Sequence, residues 1–118
     1  KLVELVSVLH KKGVPIVAGT DGLPSDLIRE LELYVEAGMT PGEALETATD
    51  GAARAMKFDP LLATIAKGGA ADLVLVDGDV GAKIGALRQV DTVMMGGKLM
   101  NGQALRESVG ITGLPKKP

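Results

Sequence analysis

The sequence has no cysteine and no tryptophan, and only one tyrosine, one phenylalanine and one histidine among its 118 residues. Without cysteine the chain has neither disulfides nor thiolate metal sites, and this fits a reducing compartment, so we predict a cytoplasmic location. With so few aromatic rings, the core must be built from Ala, Val, Leu, Ile and Met. We therefore expect a thinly packed core.

The sequence also has neither a long run of basic residues nor a long apolar run. The formal net charge is −2 and Lys and Arg do not cluster, which excludes a surface that binds nucleic acid. No apolar stretch approaches the roughly 20 residues of a membrane span, and the first residues show no signal-peptide pattern. We expect a soluble protein. The first residue is Lys1, already within a helical pattern, and this predicts a piece of a longer protein.

Residues 13–22, with the sequence GVPIVAGTDG, are the most informative segment. An apolar run at residues 16–18 is too short for a helix and is closed by Gly19, which predicts a buried strand with Asp21 just past its carboxyl end. Parallel α/β folds place their chemistry there. A carboxylate beside an apolar core needs a cation, a proton or hydrogen-bond donors, so Asp21 is a candidate metal ligand or general base. The alternative is a turn or N-cap aspartate, because Asp-Gly is a common turn pair.

Helical patterns flank this segment on both sides. Apolar residues at helical spacing predict one helix that Gly13 ends and a second that Gly38 ends. A third helix starts at Pro41, where Thr40 and Glu43 have the spacing of a capping box, and a break is expected near residues 50–51. Residues 1–56 are therefore predicted to form helix, strand, helix and helix.

From about Phe58 the helical periodicity gives way to short apolar runs separated by glycine. We predict a strand at Leu73–Val76 that is buried on both faces, a second at Val90–Met95, and a third at residues 98–100 after a Gly-Gly turn. Two or three short strands are marginally stable alone. This half therefore predicts pairing with a missing segment or with another chain.

The other chemical candidates have ordinary structural explanations. The sole histidine, His10, is predicted to be a surface or boundary residue, because a metal site needs several convergent ligands. Asp72, Asp77 and Asp79 are predicted to be turn residues, since their spacing lacks the bidentate Glu and the fixed Gly of a calcium loop. The Gly-Gly pairs at residues 68–69 and 96–97 do not open a helix after a strand, so they predict no phosphate loop.

Three blocks of sequence together resemble the C-terminal part of a metal-dependent amidohydrolase. They are GVPIVAGTD at residues 13–21, ELEL followed by EAGMTP and EAL within residues 30–45, and AADLVLVDGD at residues 70–79. The order and spacing of all three match, over about residues 1–108. The resemblance is to the group that contains imidazolonepropionase-like and Xaa-Pro dipeptidase-like enzymes.

The resemblance implies a distorted (β/α)8 barrel whose eighth strand ends at Asp21, and a small β-sandwich that includes the strands from Leu73 onward. It also implies hydrolysis of an amide or other C–N bond by a metal-activated water. In the family the last-strand aspartate binds the metal, zinc in our interpretation, and takes the proton from that water. This role carries over onto Asp21 alone. The implied substrate is a small amide or a dipeptide.

The sequence departs from the family pattern in ways that concern the site. The family's His-x-His pair, its bridging lysine or glutamate and its further histidines have no counterpart here, and one carboxylate cannot hold a catalytic zinc, which needs about three protein ligands. Residues 63–72 lack the proline that relatives often carry before the sandwich strand. Ile28 stands where some relatives have histidine.

Two hypotheses of function follow. The first is a segment of an amidohydrolase, with residues 1–57 from the barrel, residues 58–108 from the composite sandwich and residues 109–118 as a tail; alone, this chain is expected to be inactive. The second is a noncatalytic interaction module that pairs through its sheet edges and apolar faces. Both predict a homo-oligomer or a missing N-terminal segment.

Overall fold

The structure, a computed structural model, describes residues 1–23, 25–58 and 60–113. This part of the chain is a mixed α/β structure with five α-helices and one three-stranded sheet. The helices are α1 (Leu2–Lys11), α2 (Asp26–Glu36), α3 (Pro41–Glu46), α4 (Asp50–Ala55) and α5 (Gly102–Ser108), and the strands are β1 (Leu73–Val76), β2 (Val90–Met95) and β3 (Lys98–Asn101). Two short 3₁₀ helices span Pro60–Ala63 and Ile84–Arg88. Within the described ranges, no helix has both the length and the apolar character that a membrane crossing requires.

Local signals set most helix ends where the sequence predicts them. Gly13 and Gly38 follow α1 and α2 with φ of +69° and +108°, a conformation that glycine adopts at little cost. The capping box at α3 is complete, because Thr40 and Glu43 each accept a hydrogen bond from the other's backbone N–H.

The predicted break in the third helix lies at residues 47–49 and not at residues 50–51. Two threonine hydroxyls explain the earlier end. Thr47 Oγ1 donates to the carbonyl of Ala44 at 2.6 Å, and Thr49 Oγ1 donates to the carbonyl of Leu45 at 2.9 Å. Such bonds engage backbone carbonyls at the end of α3, where they compete with continuation of the helix.

The strand predicted at residues 16–18 is wrong for the described structure. These residues have no regular secondary structure and lie outside the three-stranded sheet. A strand needs a neighbour for its backbone groups. Within the described ranges this segment has a single backbone bond to a distant element, from the N–H of Ala18 to the carbonyl of Thr47 at 2.9 Å. Ile16 and Ala18 nevertheless pack against the core.

All three strands predicted in the second half are confirmed, and they form an antiparallel sheet in the order β1-β2-β3. Gly96 and Gly97, with φ of +56° and +78°, make the two-residue turn between β2 and β3. β1 thus pairs within the chain, with Leu73 opposite Met94, while the outer edges of β1 and β3 carry no further strand in the described residues.

The expectation that Leu73–Val76 is buried on both faces is wrong. Val74 is 56% exposed and Leu75 is 62% exposed, although their side chains point to opposite faces of the sheet. The reason is that β1 is an edge strand and no second layer covers it among the described residues.

The main apolar cluster joins the two halves of the chain. Its buried members are Leu31, Tyr34, Met39, Ala44 and Ile84. The first four come from α2, α3 and the link between them, and Ile84 comes from the second 3₁₀ helix. Arg88 in that 3₁₀ helix also forms an ion pair with Glu32 of α2. The helical half and the sheet half are thus tied together at α2.

Candidate functional site

Asp21 lies in the loop that leads into α2, and its side chain is exposed. Two carboxylates of α2 hold the loop on either side of it. The N–H of Gly19 donates to Glu30 Oε1 at 3.3 Å, and the N–H of Leu23 donates to Asp26 Oδ2 at 3.1 Å. Among the described residues, the Asp21 carboxylate has neither a hydrogen-bond partner nor an ion-pair partner. The position beyond the apolar segment is as predicted, and the carboxylate is free to meet a ligand.

Glu30 forms the more elaborate of these two anchors. Its Oε1 accepts hydrogen bonds from the hydroxyl of Tyr34 and from the N–H of Gly19. Its Oε2 is buried and, within residues 1–23, 25–58 and 60–113, has no hydrogen-bond partner. Burial of Tyr34, followed by its hydrogen bond to Glu30, raises the pKa of the phenol well above its ordinary value of 10. The phenol is therefore neutral at physiological pH and remains a hydrogen-bond donor.

A second connection comes from the end of α3. The carbonyl of Thr47, a residue only 6% exposed, accepts the N–H of Ala18. Two neighbouring amides, those of Ala18 and Gly19, are thus fixed just before Asp21.

The pKa of Glu43, at the other end of α3, is lowered, chiefly because its carboxylate accepts a hydrogen bond from the backbone N–H of Thr40. A charged carboxylate at the N-terminus favours the helix, since the helix dipole is positive there.

The described ranges contain no group of three or more His, Asp or Glu side chains that could hold a metal ion. His10 Nε2 lies 3.9 Å from Glu43 Oε1 at the edge of the helical half, which confirms it as a boundary residue. Asp72 accepts the N–H of Gly96 at 2.6 Å, and Asp79 accepts the N–H of Ala82 at 3.0 Å. These two aspartates are turn and hairpin residues, as predicted.

An open cleft of about 510 Å³ lies between α1, the segment at residues 14–17, and α3 with α4. Its polar lining consists of His10, Glu43, Glu46, Thr47 and Arg54, and Asp21 is not among the lining residues. Arg54 pairs with Asp50 and with Glu46. The Asp21 carboxylate thus lies outside the lining of this cleft.

Comparison with known proteins identifies the family. The profile of the family described as "Amidohydrolase family" matches residues 3–100. The chain belongs to the amidohydrolase family. No curated protein sequence matches it.

Two solved structures of amidohydrolase type resemble the chain. A crystal structure of an amidohydrolase aligns with a TM-score of 0.75 and 24% identity over 84% of this chain and 25% of that one, and it supports the fold alone. A crystal structure of a Xaa-Pro dipeptidase with methionine bound in its active site aligns with a TM-score of 0.80 and 31% identity. The alignment covers 86% of this chain and 26% of that one. The chain therefore spans about a quarter of the length of either protein.

The family resemblance predicted from the three sequence blocks is confirmed. The catalytic and metal-binding roles of Asp21 stay predictions. Sequence reasoning missed Glu30 and Tyr34, although a signal was present: they lie four residues apart on one helix, and Tyr34 is the only tyrosine.

Proposed function

We propose that this chain is the C-terminal part of a metal-dependent amidohydrolase that hydrolyses an amide or peptide-like C–N bond in a small molecule or dipeptide. Family membership supports the reaction class, and the similarity to a Xaa-Pro dipeptidase favours a peptide-like substrate. The observation that carries the proposal is the exposed Asp21 carboxylate, which has no partner in the described part of the chain and lies between two amides that α2 holds in place. Its proposed roles are metal ligand and proton acceptor.

The described residues do not fit a complete metal site. A catalytic zinc needs about three protein ligands, and no such set exists in the described part of the chain. We therefore assign this chain one ligand position, Asp21, and we propose that the other ligands lie on barrel strands outside these 118 residues. Zinc is the metal we propose for that site.

By the intact enzyme we mean a longer polypeptide that contains this chain and a full barrel. The fold that we propose for it accounts for the exposed apolar strands of this chain. Residues 1–57 would supply the last strand and helices of a (β/α)8 barrel, where residues 16–18 gain the neighbours that they lack here. Residues 58–108 would form part of a composite β-sandwich, with residues 109–118 as a tail. The exposure of Leu75 and Leu99, at 62% and 68%, supports a covering layer. We propose a homo-oligomeric, cytoplasmic enzyme.

Two observations favour a noncatalytic alternative. As far as the structure describes it, the sheet has two free edges, and it exposes apolar side chains. A protein with these features can act as an interaction module that pairs with itself or with a partner.

The test is hydrolysis by the intact enzyme and by its Asp21→Asn variant, measured on a panel of Xaa-Pro dipeptides and other small amides. Asp91→Asn, which changes an exposed aspartate in β2, is the matched control. Loss of a proton acceptor lowers kcat by about 10²–10⁴-fold, and we expect a loss in that range for Asp21→Asn only. Full activity in Asp21→Asn would refute the site, and an inactive wild type would favour the interaction module.

A further inference from the structure

We propose that Glu30 is a positioning residue that fixes the backbone at Gly19 and thereby sets the place of Asp21. This inference rests on the proposed function, because it assigns Glu30 a role in the same site. One oxygen, Oε1, accepts from both the N–H of Gly19 at 3.3 Å and the hydroxyl of Tyr34. Glu30 thus joins the loop to the body of α2. The point of attachment, Gly19, lies two residues before Asp21, the proposed catalytic carboxylate.

The anchor runs from the core outward. The ring of Tyr34 is 7% exposed and belongs to the main apolar cluster, so its hydroxyl has a fixed position. That hydroxyl holds the Glu30 carboxylate, and the carboxylate holds the amide of Gly19. Hydrogen bonds to a charged acceptor are stronger than neutral ones. A site residue is held most accurately when its support comes from side chains that packing has already fixed.

The second oxygen of Glu30 supports a role beyond stability. Oε2 is buried and has no hydrogen-bond partner among the residues that the structure describes. Burying an unsatisfied polar atom is unfavourable, and more so for a charged group. Local departures of this kind concentrate at functional sites, and this one lies directly behind the Asp21 loop.

The neighbouring amide provides an internal reference. Ala18 donates to the carbonyl of Thr47, a main-chain bond at 2.9 Å that does not involve Glu30. A change at Glu30 should therefore release Gly19 and leave Ala18 in place. General loosening of the segment would release both amides together.

The first test uses NMR on the 118-residue chain. In Glu30→Gln, which keeps an acceptor oxygen but loses the negative charge, the weaker hydrogen bond should move the Gly19 amide proton upfield. In Glu30→Ala, exchange of the Gly19 amide should accelerate about tenfold, the loss expected for a bond of roughly 1.4 kcal/mol, and the backbone order parameter of Asp21 should fall. The Ala18 amide should not change.

Glu36→Gln is the matched control, because Glu36 lies on the same helix and, among the described residues, pairs only with Arg29. The proposal would be overturned if the Gly19 amide is unchanged in both Glu30→Gln and Glu30→Ala. Glu30→Gln keeps the size and shape of the side chain, so it decides the matter even if Glu30→Ala fails to fold. Equal acceleration of exchange at Ala18 and Gly19 would also overturn the proposal.

The second test measures kcat and KM of the intact enzyme. Misplacement of a reacting group by about 1 Å costs about 10²-fold in rate, so Glu30→Ala should lower kcat by up to that factor with KM nearly unchanged. Glu30→Gln retains an acceptor oxygen and should restore part of kcat, and Glu36→Gln should have no effect. If the wild type hydrolyses substrate and Glu30→Ala keeps its kcat, the positioning role fails while the proposed function stands. If the wild type hydrolyses nothing, the proposed function fails while the NMR result still decides whether Glu30 fixes the loop.

Discussion

The ion pair between Arg88 and Glu32 joins the two halves of the chain, and its contribution to stability follows from its geometry. Arg88 donates from both Nη atoms to the two oxygens of Glu32, with Nη2 and Oε2 3.1 Å apart. The two side chains are 33% and 24% exposed. Exposed pairs contribute about 0.2–1 kcal/mol, and breaking a buried pair costs about 3–5 kcal/mol. We expect a coupling free energy of about 1 kcal/mol for this half-buried bidentate pair.

A double-mutant cycle with Arg88→Met, Glu32→Gln and the double variant, measured by urea unfolding, isolates this coupling. Arg29 complicates the cycle, because its Nη1 also donates to Glu32 Oε2 at 3.3 Å. Glu32→Gln should therefore lower the free energy of unfolding more than Arg88→Met does. Repeating the cycle in an Arg29→Met background is the control. A coupling below about 0.2 kcal/mol in both backgrounds would refute the reasoning.

The same pair predicts a dependence on pH. The hydrogen bond from Arg88 lowers the pKa of Glu32 below its ordinary value of 4.5, against the opposing effect of burial. A carboxyl group with a lowered folded-state pKa contributes stability above its unfolded pKa and loses it as the pH falls through the folded value. Between neutral pH and pH values below 4.5, the free energy of unfolding should thus fall more in the wild type than in Arg88→Met. Equal acid dependence would contradict this assignment.

Three further predictions concern the core, the cap and the exposed sheet. Leu31 is 2% exposed, so Leu31→Ala should lower the free energy of unfolding, measured by urea titration, by about 3 kcal/mol. A loss below about 1 kcal/mol would show that Leu31 is not in a packed core. Thr40→Ala should cost about 1 kcal/mol in thermal unfolding, whereas Thr40→Ser keeps the hydroxyl and should cost little. Sedimentation equilibrium should show that the chain self-associates and that Leu75→Lys weakens this association. A monomer at all concentrations would contradict the role we give to the exposed sheet face.

The features that sequence reasoning predicts correctly depend on short-range interactions. The cap at Thr40 needs only Glu43, three residues on, and the hairpin between β2 and β3 needs only its two glycines. Helix α5 was not predicted, although Asn101 caps it by accepting the N–H of Ala104. Its cap coincides with the end of β3, so the strand pattern obscures the start of the helix.

The failures concern contacts between distant parts of the chain. The apolar run at residues 16–18 has the composition of a strand, but a strand forms only where a neighbour supplies hydrogen bonds, and composition does not reveal whether one is present. The candidate site likewise contains one residue that the sequence revealed, Asp21, and one that it did not, Glu30. Asp21 was found because it lies shortly after that run in the sequence. The bond from Gly19 to Glu30, in contrast, spans 11 residues and depends on how α2 packs.

Metal analysis of the purified intact enzyme, its Asp21→Asn variant and the 118-residue chain tests the central claim most directly. The claim is that this chain supplies one ligand, Asp21, to a metal site that it does not complete. We predict about one or more equivalents of a divalent metal, zinc foremost, in the intact enzyme, clearly less in Asp21→Asn, and none retained by the 118-residue chain. Equal metal content in the enzyme and in Asp21→Asn, or tight stoichiometric zinc in the 118-residue chain, would contradict the claim.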